Sequence, residues 1–507
     1  MNEIDTIPLP PWRPDESDLL TQYATVADNV IPAPVGYRPF ANIGTTTRMS
    51  ALTNRCQGAA GFIADSGAGI VVAGDDAKLY QNVDGTATDI SKSGGYSCPA
   101  DDMWEFVSFN NQVIATNISD PLQAATMVSL LSFADLATST LKPQGRHIAV
   151  VRNRFVMIGN TSEGGVLYPD RVRWCAIDDS ADWDADQATL ADAQDIAGVG
   201  WIRKIVGGEY AVILCDEGLV RGDFVGTPDI FAFSQLEPGR GCVASGSVAV
   251  WGSLVFFLDD EGFFVFDGYR SVPIGTEKIN RWFFDQWDES LSHRMSATVD
   301  KVNGLYILAF SSTASTGNPD YLLCYHIQVG EWSRVDLSVN SGNNTTVQVI
   351  FPALTVGTTL EGISTHPLGG TDLDAIAYSF DSRVWQGGAQ NVGVFNAANT
   401  GYFFDGTNMQ ATVETDVIQH FKGKRSLVDH VRPLADGGTL SVGIAMRDRL
   451  VDSETFTSQV TQNANGICPF DASNSGRYAK YRLRVADGGT WTHLEGFVPA
   501  ATELGQF

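Results

Sequence analysis

Short apolar runs broken by glycine, asparagine or aspartate dominate the first four hundred residues. Between Val248 and Gly268, the run Leu254-Val255-Phe256-Phe257-Leu258 meets the polar turn Asp259-Asp260-Glu261-Gly262, and Phe263-Phe264-Val265-Phe266 then ends at Asp267-Gly268. Unalternating apolar runs this short predict strands covered on both faces and paired as hairpins. The same two-turn unit stands just upstream, with Gly207-Gly208 before Tyr210–Leu214 and Asp216-Glu217-Gly218 before Leu219-Val220. Gly208 to Gly252 and Glu217 to Glu261 are both steps of 44 residues. Earlier, Asn111 and Arg154 occupy matching turns 43 residues apart, with Asp65–Gly67 a similar step before Asn111; later, Asn303-Gly304 divides Ala297–Val299 from Leu305–Phe310. A repeat of about 40–45 residues built from antiparallel strands predicts propeller blades, since one such sheet cannot bury itself alone. The fold expected is therefore all-β: a degenerate propeller of about six blades between about residues 55 and 340, with a further unit around Asp381–Trp385.

The last hundred residues follow a different rhythm. Leu440, Val442, Ile444 and Met446 alternate with Thr439, Ser441, Gly443 and Ala445; Tyr481, Leu483 and Val485 alternate with Lys480, Arg482 and Arg484. Period two with one polar side predicts a half-exposed antiparallel sheet, hence a small β-sandwich or platform over 401–507. Residues 1–54 read as an extended arm, with Pro14, Pro32, Pro34 and Pro39 spaced along it, able to pack on that carboxy-terminal sheet. The propeller thus spans 55–400, with insertions expected at about 163–198 and 338–373. Helix is scarce: Thr276–Trp287 is expected, capped by Thr276 and burying Ile279, Trp282, Phe283 and Trp287, and Asp120-Pro121 resembles a second helix start.

Charge sharpens this division. The chain of 507 residues holds 33 Lys+Arg and 59 Asp+Glu, a net charge of −26. Residues 401–507 account for ten basic and twelve acidic residues, which leaves 23 and 47, net −24, in residues 1–400. Such an excess argues against a general grip on nucleic acid, because phosphate affinity comes mainly from Lys and Arg. The seven cysteines are odd in number and never closer than the 27 residues from Cys215 to Cys242, so reduced, buried thiols are expected rather than a metal pair or a disulfide framework. Neither a secretory signal nor an apolar membrane span is seen.

Catalytic constellations are equally sparse. The seven histidines form no HxH or HExxH, and no phosphate-binding glycine loop is present, so no cofactor is expected. Asp178, Asp179, Asp182, Asp184 and Asp186 could surround a calcium ion, but the run lacks the glycine and distal glutamate of a calcium loop and reads as a solvated acidic loop. Asp487-Gly488-Gly489-Thr490-Trp491 is one residue short of a sialidase Asp-box and reads as a hairpin. Paired acids in a propeller cleft could still cleave a glycan, which makes a carbohydrate-binding or glycan-cleaving tail enzyme the alternative function.

Several stretches carry a family resemblance. Asn29-Val30-Ile31-Pro32 followed by Tyr37, Arg173-Trp174-Cys175-Ala176-Ile177-Asp178-Asp179 followed by Trp183, Gly239-Arg240-Gly241 leading into the Phe256–Gly268 hairpin, Pro273-Ile274-Gly275, and Arg477-Tyr478 with Trp491 and Gly496 resemble the tail nozzle, or tail-tube, proteins of short-tailed bacteriophages, also described as packaged-DNA stabilisation proteins. The resemblance implies a structural, non-enzymatic virion protein, made and assembled in the host cytoplasm: a propeller with a platform formed by both chain ends, six copies ringed around the genome channel. Its partners would be a head-to-tail adaptor above, tail fibres, spikes or a needle, and double-stranded DNA passing without sequence-specific contact. A wall of carboxylates would keep the duplex from sticking. Asp178, Asp179, Asp182, Asp184, Asp186, Asp259, Asp260 and Glu261 are the expected channel-facing acids. Lys480, Arg482 and Arg484 are the expected contacts to an acidic neighbouring subunit or the adaptor.

Overall fold

The computed structural model describes the chain apart from residues 1, 4, 18–21, 64–68, 129, 137–139, 338–345, 355–389, 472 and 506–507. Five four-stranded meanders follow one another from Gly58–Ile63 through Ser271–Pro273. A sixth, Ser296–Asp300 to Glu331–Asp336, has the same order, and a three-stranded sheet of Val347–Leu354, Gln390–Asn396 and Gly401–Phe403 completes the set. Local chemistry sets the hairpins. The first-to-second turns place Asn110-Asn111 and Arg152-Asn153 at φ 45°, 59°, 55° and 55°. The turn type that matches strand twist needs this pair of positive φ values, within a two-residue loop at Asn110-Asn111 and a three-residue loop at 152–154.

Apolar residues weld each meander to the next. Phe62 and Val72 pack with Val113, Ile114 with Val156, Val172 with Ile213, Leu214 with Val255, Phe256 with Tyr306, Ile307 with Val394, and Phe351 with Val71. The last contact closes the circle. The protein is therefore a β-propeller: six small sheets stand in a ring, five of four strands and one of three, and the sixth meander completes the ring as part of a larger sheet. Both faces of each blade are covered, which is why the second strands read as unbroken apolar runs: Ala211–Cys215 and Leu305–Phe310 are buried at every residue.

The larger sheet also forms the platform. Its nine strands run from the sixth meander through Ala24–Asp28, which pairs in parallel with Glu331–Asp336, and on to Ala411–Thr415, Tyr478–Val485, Leu440–Arg447 and Val460–Thr461. An eight-stranded sheet combining Asn2–Glu3, Ile7–Pro8, Val30–Pro32 and Tyr37–Pro39 with four carboxy-terminal strands faces it. Tyr481 and Phe497 meet between the two at 4.6 Å. Both chain ends thus build the platform, as expected, and Tyr478–Val485 shows the expected strict alternation of burial.

Four local expectations differ from the structure. The helix is shorter, Asn280–Gln286, and Thr276 does not cap it; Asp15 from the arm accepts hydrogen bonds from the Arg281 and Trp282 N–H groups at 2.8 Å each. Asp120-Pro121 starts no helix, because Asn117 Oδ1 draws in the Ser119 and Asp120 N–H groups and the chain continues into the strand Gln123–Thr126. The segment 163–198 contains two strands of the third meander, Val166–Trp174 and Asp192–Asp195, so only 175–191 emerges as a loop. Asp487–Trp491 is a crossover between the two platform sheets, not a hairpin. The expected unit around Asp381–Trp385 and most of the 338–373 segment lie outside the described residues, as does the Asp65–Gly67 turn.

Candidate functional site

Strands alternate in direction, so the two ends of each meander emerge on opposite faces of the ring. First-to-second and third-to-fourth turns share one face; second-to-third turns and blade-to-blade connections share the other. The acidic loop holding Asp178, Asp179, Asp182, Asp184 and Asp186 is a third-to-fourth connection, tied to first-to-second turns by the Asp178–Arg154 ion pair and by Asn110 Nδ2 donating to the Asp178 carbonyl. The hairpin tip Asp259-Asp260-Glu261 belongs to the other face, beside the Gly241 connection. The two acidic groups do not come together.

Inside these groups the carboxylates play different parts. Asp179, Asp182 and Asp186 each accept a backbone N–H two residues ahead, and Asp184 accepts from Thr140 and Leu141, so the loop is laced by its own acids. Asp178, Asp179, Asp184 and Asp186 are exposed, as are Asp260 and Glu261. Asp259 is only 1% exposed; it accepts from the Gly241 and Glu261 N–H groups and from Arg240. Burial first, then Asp260, pushes its carboxyl above the usual range. Asp259 frames the turn and presents no carboxylate to a channel. Among the described residues, no group of three or more His, Cys, Asp or Glu side chains could hold a metal ion.

Lys480, Arg482 and Arg484 do share one face of their strand, opposite Tyr481, Leu483 and Val485. Two of the three are answered within the chain: Arg482 pairs with Glu414 and lies 3.9 Å over the Phe456 ring, and Lys480 pairs with Glu454 at 3.2 Å. The Arg484 Nε makes no hydrogen bond among the described residues. Gly239-Arg240-Gly241 is a corner between meanders four and five. A Cβ on Gly241 would stand 1.7 Å from the Asp216 carbonyl oxygen, and Arg240 bridges Asp259 and Glu261 while stacking 3.9 Å over Phe264.

One repeated signal escaped the sequence pattern. Asp75, Asn117, Asn160, Asp216, Asp259 and Asn396 each lie at or just past the apolar core of a second strand; the first three are spaced by 42 and 43 residues. Five of the six are buried, and Asp216 is half-buried. Asp75, Asp216 and Asp259 accept backbone N–H groups from the connection entering their own meander, at Asn54, Trp201 and Gly241, whereas Asn160 donates to the Ile202 carbonyl. These four tie their strands to a blade-to-blade connection or the neighbouring blade, while Asn117 and Asn396 accept N–H groups of the turns just after them; a search for Asx after the apolar runs finds all six.

The first strands of the meanders enclose an axial cavity of about 660 Å³. Its charged lining is Asp101, Asp102, Glu105, Arg146, Arg203, Lys204 and Lys301, with His147 and His293. Glu105 sits at the centre of a network, accepting from Lys204 Nζ at 2.7 Å and from the Ile148 N–H at 3.2 Å, with His147 Nδ1 at 2.8 Å. Burial pushes the Glu105 carboxyl up, but the Lys204 and His147 charges and hydrogen bonds outweigh it and hold it down at about 2. Asp102, buried, is pushed up, with Arg146 opposing.

No protein-family model matches the sequence, and no curated protein matches it. Among solved structures, the chain is similar to the extracellular domain of a hybrid two component system from B. thetaiotaomicron, at 11% identity and a TM-score of 0.40, covering 77% of this chain and 43% of that one. It is also similar to the WD40 domain of Neurospora crassa Pan2, at 6% identity and TM-score 0.35, covering 80% and 97%, and to a computationally designed protein, at 12% identity and TM-score 0.35, covering 70% and 98%. The propeller assignment rests on the ring of sheets itself.

Proposed function

We propose that this chain is a structural wall subunit, a tail nozzle of a short-tailed bacteriophage that extends the genome channel, helps retain packaged DNA and lets it pass. The observation that carries this reading is the continuous nine-stranded sheet running from the sixth meander into a platform made by both chain ends. Such a sheet joins two bodies without a flexible linker, which suits a part that must transmit load around a ring. The net charge of −24 on residues 1–400 fits a surface past which a polyanion slides. In this reading the exposed acids Asp178, Asp179, Asp184 and Asp186, with the half-buried Asp182, on one face, or Asp260 and Glu261 on the other, meet the bore, and Arg484 is the member of the basic strand left for a neighbouring subunit or the adaptor.

The competing reading is a glycan-binding or glycan-cleaving propeller acting through the axial cavity. It needs two accessible carboxylates there; Asp102 is buried and Glu105 is locked to Lys204 and His147, which leaves Asp101. Electron microscopy of the purified chain mixed with its virion partners separates the two. Six-fold rings with a bore wide enough for duplex DNA support the nozzle; monomers that shorten host polysaccharide overturn it.

A further inference from the structure

The axial cavity inverts the charge balance of the molecule. The whole chain has 33 Lys+Arg against 59 Asp+Glu, yet four Lys/Arg and three Asp/Glu line this space. Three of the four lining cations and His293 stand toward the face of the blade-to-blade connections, where Asp101 and Asp102 also lie; Lys301 follows its first strand on the other face. Arg146 and Arg203 stand near the start of adjacent first strands, Gln144–Val151 and Ile202–Val206, and His293 precedes the first strand Ser296–Asp300. Behind His293 lie two more guanidiniums, Arg294 and Arg55; after burial, these two are the largest influences holding His293 below its usual range. Like charges held together cost free energy unless a counter-charge joins them.

Three of the anions nearby are already committed, and the fourth, Asp101, is exposed to solvent and only partly offsets Arg294 and Arg55 at His293. Glu105 serves Lys204 and His147, Asp216 serves Arg203 and the Trp201 N–H, and Asp102 accepts from the Ile118 N–H. Arg146 is left with Asp102 at 3.7 Å, and its buried Nε makes no hydrogen bond among the described residues; the same holds for the Arg294 Nε. A guanidinium fork that faces a cavity with its donors unused is suited to a planar or tetrahedral oxyanion.

We propose that the axial cavity binds a small multiply charged oxyanion of the phosphate class, held by Arg146 with Arg203 and His293 at the mouth formed by the blade-to-blade connections. The space takes a pyrophosphate or a nucleotide and is too small for a duplex. The proposal is independent of the nozzle reading, since it concerns the axis of one subunit and not a bore shared by several.

Calorimetric titration of the full chain with inorganic pyrophosphate at low salt tests it. Binding tighter than about 1 mM is expected, weakened roughly tenfold or more in Arg146→Ala, because a charge-assisted hydrogen bond is lost. Arg270→Ala, which removes the same charge from an exposed turn, is expected to change affinity less than twofold. His293→Ala supplies a second reading, a severalfold loss, if Arg146→Ala fails to fold. No binding by the wild type at that concentration, equal losses in Arg146→Ala and Arg270→Ala, or displacement of pyrophosphate by a short DNA duplex would each overturn the proposal.

Discussion

Replacing Glu105 by glutamine removes the one charge that holds Lys204 and His147 at the propeller axis. The carboxylate is 14% exposed and is held at about 2 against an ordinary 4.5. That displacement of about 2.5 pH units corresponds to about 3 kcal/mol of stability in the ionised state. Since the folded value lies below the unfolded one, the stabilisation is present in full above about 4.5 and is lost as the pH falls toward about 2. Glu105→Gln is therefore expected to unfold with about 3 kcal/mol less free energy than wild type at pH 7, measured by urea titration followed through tryptophan fluorescence, and the gap should shrink to less than about 1 kcal/mol near pH 2. A gap that stays constant from pH 7 down to pH 3 would show that the loss is one of packing and refute the electrostatic account.

Three further outcomes are expected. Asp259→Ala strands the Gly241 and Glu261 N–H groups and should cost about 3 kcal/mol in the same titration, with Asp259→Asn recovering part of it through its carbonyl oxygen. Asp15→Ala removes the side-chain acceptor of the first N–H groups of the helix Asn280–Gln286 and should cost about 1 kcal/mol, while susceptibility of the arm to limited proteolysis rises. All seven cysteines are buried, and burial pushes Cys56, Cys175, Cys215 and Cys242 up to about 12, so an aromatic disulfide reagent at pH 8 should label none of the seven in the native protein and all seven in denaturant.

Much of the architecture was legible because its signals are local. Asn110-Asn111, Gly252 and Asn303-Gly304 mark turns through their own backbone preferences, and Tyr481, Leu483 and Val485 declare one buried face by alternation alone. The helix boundary was not local: its cap comes from Asp15, about 265 residues away in the chain. The insertion read at 163–198 failed for a related reason. The acids at its two ends are paired, Glu163 with Arg171 and Arg173, and Asp195 with Arg171, across neighbouring strands that the charge pattern does not reveal.

The sequence determined the all-β repeat, its spacing, and the contrast between an acidic body and a near-neutral carboxy-terminal sheet, since each depends on residues a few positions apart. Only ring closure decided which loops share a face and which side chains converge. It put Asp184 and Asp260 on opposite sides, buried Asp259 against Gly241, and brought Glu105, His147 and Lys204 from three successive blades into one network. Those meetings span up to about a hundred residues of chain, and the direction of each strand around the circle fixes them.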